Sequence, residues 1–289
     1  MRILITGAFG QLGHSLQSVL SKKSNYELVC TGRKIKKSQE GIPLDIRNQV
    51  ALKEIINTTA PDILINLAAM TNVDACELNP KLAGEINVAG LEHICNSFKG
   101  KIIHLSTDYV FDGTSGPYKE DDPLNPISIY GKTKLASEHI LLEEDTKHLV
   151  IRGNVLYDYS PHTSASFLNW VVSSLKGNQE IKVVEDQFNN PTWTRSMSDI
   201  IELSIENDLE GIIHWGDSEH ISRFEFAKLI AKKFSLNDSL IKPVLTSELN
   251  QPARRPLQSG LSTEKLVNML DIIPPSIEDC LDEIIKTAL

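Results

Sequence analysis

The residues of this chain best suited to chemistry lie in Ile129–Leu141, IYGKTKLASEHIL, where Tyr130 and Lys134 stand four apart. Lys132, Lys134, Leu135, Ala136 and Glu138 are good helix formers, and Leu135, His139 and Leu142 repeat at helical spacing. Positions i and i+4 share one helix face, so the phenol and the ammonium can meet. A free Tyr titrates near ~10 and a free Lys near ~10.4. A fixed ammonium favours phenolate, so Lys134 is expected to lower the Tyr130 pKa. Tyr130 then serves as a proton donor or acceptor nearer neutral pH. A half-buried Tyr beside a solvated Lys would give the same spacing, so the companion residues decide between the two.

Those companions sit where strands are expected to end. Arg2–Thr6 is a short, β-rich apolar run of the kind found in buried parallel strands. Gly7-Ala8-Phe9-Gly10-Gln11-Leu12-Gly13 follows at once, and His14–Leu20 reads as an amphipathic helix. Strand, glycine turn and helix together suggest a dinucleotide site. Glycines allow a tight turn and close approach of a diphosphate, and the helix N-terminus offers free N–H groups. Gly7, Gly10 and Gly13 are the expected contacts, at G-x-x-G-x-x-G spacing.

The second strand, Tyr26–Thr31, ends without the acid that would bind an NAD ribose. Arg33 either pairs with the 2′-phosphate of NADP or belongs to a solvated basic loop; the first reading leans towards NADPH, with NADH still open. Asp45 either reaches the adenine end or caps the next helix. Small residues at the end of the Ile63–Leu67 strand, in Asn66-Leu67-Ala68-Ala69-Met70, suit close cofactor approach or tight helix packing. Asn87, inside an expected helix Gly84–Ser97, needs partners if buried. Lys101–Ser106 is a further strand, in which His104 reads as a satisfied core histidine. Thr107 at its end can hydrogen-bond a substrate oxygen.

The chain has 289 residues, enough for one large domain or two linked ones. A net charge of −9 argues against nucleic acid and against an anionic membrane surface. The four cysteines form no C-x-x-C pair and suggest buried thiols in a reducing compartment. No apolar run approaches the ~18 residues of a membrane span, and the opening strand does not read as a signal peptide. A cytoplasmic location is therefore expected.

After Leu149–Arg152 the strand–helix rhythm weakens. Helices are expected at Phe167–Leu175, Met197–Leu203 (capped by Ser196), Phe224–Phe234, Glu264–Leu270 and Ile277–Leu289, with strands at Ile181–Val184 and Ile212–His214. Neighbouring Arg254 and Arg255 either hold a diphosphate or are exposed before a helix.

Three motifs together, Gly7/Gly10/Gly13, STDYVFDG at Ser106–Gly113 and YGKTK at Tyr130–Lys134, resemble the extended short-chain dehydrogenase/reductase superfamily. Within it the chain is similar to the dTDP-4-dehydrorhamnose reductase family. Asn66–Ala69, Val73-Asp74 with Glu77, Ile86–Gly90, Asp186-Gln187 with Pro191-Thr192, and Arg255-Pro256 with Ser259 and Leu261 extend the likeness over nearly the whole chain. The resemblance implies an α/β protein. A Rossmann-type doubly wound parallel sheet would occupy residues 1–155. A smaller C-terminal substrate-binding domain would occupy 156–289, with a segment near 196–216 returning to the first. It implies NADPH- or NADH-dependent reduction of the C4 ketone of a nucleotide-linked 6-deoxysugar.

Carried over by residue, Tyr130 is the proton donor and Lys134 its partner and a ribose ligand. Thr107 and Asp108 contact the sugar. Gly10, Gln11, Leu12, Asp45, Ile46, Ala68 and Ala69 line the cofactor. Tyr109, where dehydratase relatives carry Glu, favours plain reduction. Val155 stands where the family often has Trp against the sugar, Met70 where it has Tyr, and Gln258 and Gly260 also depart from its pattern. Ser15 occupies a position that is acidic in metal-binding relatives, so no such metal site is expected. A homodimer is left open. The alternatives are a reductase or epimerase of another nucleotide sugar, and a non-catalytic NADP-binding subunit.

Overall fold

The structure, a computed structural model, describes residues 1–144, 146–159 and 166–288. Its frame is a sheet of seven strands: β1 (Arg2–Thr6), β2 (Glu27–Gly32), β3 (Ile42–Pro43), β4 (Ile63–Asn66), β5 (Lys101–Thr107), β6 (His148–Gly153) and an edge strand, Gly211–His214. Their order is Gly211–His214, β6, β5, β4, β1, β2, β3, and every pairing is parallel. The chain starts in the middle, builds outward through β2 and β3, then crosses back to β4. The strand order therefore reverses between β1 and β4, where open α/β sheets place ligands.

The apolar runs follow from burial on both faces. Ile3 and Ile5 of β1 and Ile63 and Ile65 of β4 pack into one layer, and Leu4 and Leu64 into the other. The first layer contains α1 (Gln11–Leu20), through Leu12, Leu16 and Leu20, and the helix Thr194–Glu206, through Met197, Ile200, Ile201 and Ile205. The second contains α2 (Gln49–Thr59), Gly90–Ser97 and the Tyr130 helix, Ile129–Glu143. The chain thus returns to the main sheet at Thr194–His214, between two excursions into a second core.

Those excursions share a separate core. Phe167–Lys176, Arg223–Lys233 and Ile277–Ala288 bury Leu168, Val172, Phe226, Ile230 and Leu281 against the parallel pair Ile181–Val184 and Ile241–Val244. Leu289, expected in the last helix, lies outside the described residues. Among the described residues no helix is long and apolar enough to cross a membrane.

Three expected helices differ by more than a residue at one end or are interrupted. α1 begins at Gln11, because Gly10 already takes the N-cap place. The helix near Met197 begins at Thr194, so Ser196 does not cap it; its hydroxyl accepts from Trp215 Nε1 at 2.7 Å. The Gly84–Ser97 stretch is broken by a π-helical turn at Glu85–Ala89. That turn places Asn87 inward, where its amide has three partners: the Met70 N–H (2.7 Å), the Met70 carbonyl (3.1 Å) and the Thr133 hydroxyl (3.0 Å).

Candidate active site

A cavity of about 750 Å³ runs along the C-terminal ends of the central strands and on to the second core. Its glycines do different jobs. Gly7 has φ +69°, and a Cβ there would lie 2.7 Å from the Ala68 nitrogen, so it lets the turn pack on the end of β4. At Gly13 a Cβ would run into the Ala8 carbonyl, so this glycine seats α1 on its own turn. Gly10 has only the Gly7 carbonyl within reach, at 3.4 Å. Internal packing does not demand glycine there; the open space above it, at a helix N-terminus, suits an approaching diphosphate. Arg33 and Lys34 are exposed on the rim at this end, and Ile46, Ala68, Ala69 and Met70 continue the wall. These residues fit a phosphorylated dinucleotide.

Asp45 also lines the cavity. It is ion-paired with Arg47 at 2.6 Å, and that guanidinium holds its carboxyl below the ordinary range. The capping alternative for Asp45 fails: Asn48 caps α2, accepting from the Ala51 N–H at 3.1 Å.

In the middle of the cavity β5 delivers Thr107 and Asp108, and the Tyr130 helix arrives beside them. Ser128 caps that helix by accepting from the Gly131 N–H at 3.2 Å. Gly131 lets the helix lie against the Tyr109 carbonyl, where any side chain would collide. The Tyr109 and Tyr130 rings meet edge-on at 5.5 Å. The Thr107 hydroxyl faces the Tyr130 phenol and works against the rise that burial imposes on its pKa. Asp108 is almost fully buried and accepts from Thr107 at 3.0 Å. Burial pushes its carboxyl up to about 6, against the pull of the Ser259 and Thr107 hydroxyls and of Arg223.

Lys134 departs from expectation. It is 3% exposed and does not line the cavity; Nζ donates to the Leu105 carbonyl at 2.6 Å and lies 3.0 Å from His104 Nε2. The spacing allows a meeting with Tyr130, but the nearest acceptor for the ammonium is the edge of β5. Tyr130 is therefore raised by burial, not lowered by Lys134, and Lys134 itself is pushed down to about 8 by its own burial.

At the far end the wall is Val155, Phe167 and Arg223. Val155 has φ +38°, which is strained for a β-branched residue. Arg223 opens the helix Arg223–Lys233, and its guanidinium lies over the Phe167 ring at 5.2 Å. Among the described residues it has no ion-pair partner, although Asp108 and Tyr109 lie close enough to favour its charge. Arg255 is not on the wall: it is ion-paired with Asp74 at 2.9 Å and donates to the Ala253 carbonyl at 3.0 Å. Asp74, in the first turn of the helix Val73–Leu78, meets the charge that the diphosphate reading assigned to a ligand.

One cavity thus gathers Gly7, Gly10, Gln11, Leu12, Gly13, Arg33, Asp45, Ile46, Ala68, Ala69, Met70, Thr107, Asp108, Tyr130 and Val155, but not Lys134 or Arg255. Sequence reasoning missed Phe167 and Arg223. A signal for Arg223 exists: it follows Ser222 in an S-x-x-E capping box, and a cation in a helix's first turn opposes the helix dipole. Ser15 accepts from the Ser198 hydroxyl at 3.1 Å, and among the described residues no group of three His, Cys, Asp or Glu side chains could hold a metal.

A doubly wound sheet with a glycine turn at its switch point and a Thr–Tyr pair at the end of β5 defines the extended short-chain dehydrogenase/reductase class. The chain belongs to the RmlD substrate binding domain family, which it matches over residues 1–289. It is similar to a dTDP-4-dehydrorhamnose reductase of Aggregatibacter actinomycetemcomitans, at 30% identity over 98% of each chain. It is 31% identical to the methionine adenosyltransferase 2 subunit beta of Xenopus laevis, over 93% of this chain and 82% of that one. A Bacillus anthracis dTDP-4-dehydrorhamnose reductase solved in complex with NADP superposes with a TM-score of 0.90, at 31% identity and 99% coverage of both chains.

Proposed function

We propose that this protein is an NADPH-dependent reductase of the C4 ketone of a nucleotide-linked 6-deoxysugar, converting dTDP-4-dehydro-L-rhamnose to dTDP-L-rhamnose. One observation carries the reading: the Thr107 hydroxyl and the Tyr130 phenol face each other in a cavity whose other wall is the Gly7–Gly13 turn. Similarity over nearly the full length to reductases of that name supports it.

The glycine turn would hold the dinucleotide's diphosphate, and Arg33 with Lys34 a 2′-phosphate. When bound, the reduced nicotinamide supplies hydride. Negative charge then develops on the former carbonyl oxygen, where Tyr130 delivers a proton and the Thr107 hydroxyl, turned from Asp108, would donate a hydrogen bond. A phenol kept fully protonated by burial is in the correct state to give that proton. Arg223, over Phe167, lies beyond Asp108 and would bind the substrate's anionic diphosphate, the role first offered for Arg255. Residues 1–155 with 194–214 would form the cofactor domain and the second core the substrate domain.

The test mixes the protein with NADPH and dTDP-4-dehydrorhamnose and follows the near-ultraviolet absorbance of the reduced nicotinamide. Oxidation that depends on the sugar is expected. Bound NADPH that is not oxidised would overturn the reading. Val155 and Met70 at the wall favour a second reading, reduction of a related nucleotide sugar, which substitution of a UDP-linked 4-ketosugar would detect.

A further inference from the structure

Four buried side chains run in a line from β1 to the Tyr130 helix: Thr6, Asn66, His104 and Lys134. The proton order along that line follows from its fixed donors. The Ala68 N–H donates to Asn66 Oδ1 at 3.3 Å, and the Thr6 hydroxyl donates to the same oxygen at 2.6 Å. The amide is thereby oriented, and Nδ2 is the donor that faces His104 Nδ1 at 3.1 Å. Nδ1 carries the lone pair, so in the neutral ring the hydrogen sits on Nε2. Ser137 Oγ lies 3.0 Å from Nε2 and already donates to the Lys134 carbonyl at 2.6 Å, so it accepts from Nε2 as well.

Lys134 Nζ stands 3.0 Å from that same Nε2. An ammonium has only donors and would meet another donor there. A neutral amine has a lone pair that accepts from Nε2–H, while one of its own N–H groups donates to Leu105. With Nε2–H shared between Ser137 Oγ and the amine, the neutral form avoids the donor–donor contact that the ammonium would make.

We propose that His104 is a positioning residue that presents Nε2–H to Lys134 and so stabilises the neutral amine of that side chain. The consequence for turnover rests on the reductase reading above. When Tyr130 protonates the substrate oxygen, its O–H bond breaks and that of the product alcohol forms. The phenolate then takes a proton from solvent in the cavity, and a Lys134 held towards its neutral amine does not favour the phenolate.

The surroundings set the balance between amine and ammonium. Burial favours the amine, and Glu138, one turn further along the helix, favours the ammonium. Glu138 is itself shared, ion-paired with Arg152 at 2.7 Å and bonded by the Ser106 hydroxyl, so it opposes the shift only in part. From β5, burial keeps His104 neutral. Tyr130, one turn earlier, is held protonated by burial, to which Asp108, Tyr109 and Cys76 add.

The test titrates Lys134 in the full chain, with lysine isotope-labelled at Cε and the signal assigned by its loss in Lys134→Met. The wild type is expected to titrate near 8. His104→Leu, which removes the donor, should raise that midpoint by about one unit or more. His104→Gln, which returns an N–H to the same side, should keep it near wild type. A wild-type midpoint in the ordinary lysine range overturns the proposal, and so does an unmoved midpoint in folded His104→Leu. If the Leu variant does not fold, the His104 Nε2 proton resonance of the wild type decides: it must shift with the Lys134 titration, and a signal indifferent to it overturns the proposal. No turnover is needed, so failure of the reductase assay would leave this test intact.

Discussion

The two ends of the cavity are built from different materials. At the glycine end the wall is mostly backbone: Gly7, Gly10, Ala68 and Ala69 sit on the ends of β1 and β4, which pair with each other over four residues each. At the other end the wall is side chain. Val155, Phe167 and Arg223 come from three separate pieces of chain, and Val155 and Arg223 each adjoin a strand of two residues. A backbone wall can be altered only by disturbing the sheet. A side-chain wall can be changed one residue at a time while both cores stay packed. The glycine end is therefore set by the fold, and the far end by a few substitutions.

Tyr130 is where the two ends meet, and the largest effect is expected there. Tyr130→Phe should lower turnover at least ~100-fold and leave NADPH affinity nearly unchanged, measured by stopped-flow oxidation and by calorimetry. Unchanged turnover would remove Tyr130 as the proton donor and with it the junction between the ends.

The next effect separates the ends. Arg223→Gln should raise the KM for the dTDP-sugar roughly 10-fold or more, the range of a lost charge-assisted hydrogen bond. Its kcat should change less, and its NADPH affinity should not change. Titration with dTDP and with thymidine sharpens the assignment: affinity for dTDP should fall in the variant and affinity for thymidine should not. Loss of both would place Arg223 in nucleoside packing instead.

The same division decided what could be read from the sequence. β1, the glycine turn and the run after β5 are local signals, because strand, turn and helix follow one another within a few residues. They were legible, as was the apolar alternation that feeds the two layers. Lys134 was legible as a helix neighbour of Tyr130 but not as a group drawn to the Leu105 carbonyl, since that carbonyl lies 29 residues away in sequence. Arg255 was misplaced for the same reason: the position of Asp74, 181 residues before it, is a tertiary fact. Arg223 was missed because nothing near it in sequence shows that Phe167 and Asp108 surround it.

A smaller effect tests the glycine end alone. Arg33→Ala should weaken NADPH about tenfold and NADH little, since an exposed guanidinium on a phosphate contributes modestly in water. Fluorescence titration of both cofactors reads the difference. Equal weakening would return Arg33 to the solvated-loop reading, and an unchanged affinity for both would leave the phosphate to Lys34.

The smallest effect concerns backbone, and here the two ends again contrast. Both need a residue with positive φ: Gly7 at +69° and Val155 at +38°. Glycine meets the first without strain. At the second, a β-branched side chain stands in the left-handed region, at a cost on the order of 1–3 kcal/mol. Val155→Gly removes that strain, while the freer unfolded chain takes back roughly 0.5–1 kcal/mol. The expected net is a gain of up to ~1–2 kcal/mol, visible as a higher Tm, together with a raised KM for the sugar because the cavity wall loses a side chain. Gly7→Ala should do the reverse, with lower stability and weaker NADPH binding, because its new methyl meets the Ala68 nitrogen. A Val155→Gly protein with a lower Tm would show that the valine's packing outweighs its backbone strain. The far end would then be as firmly fixed by the fold as the glycine end.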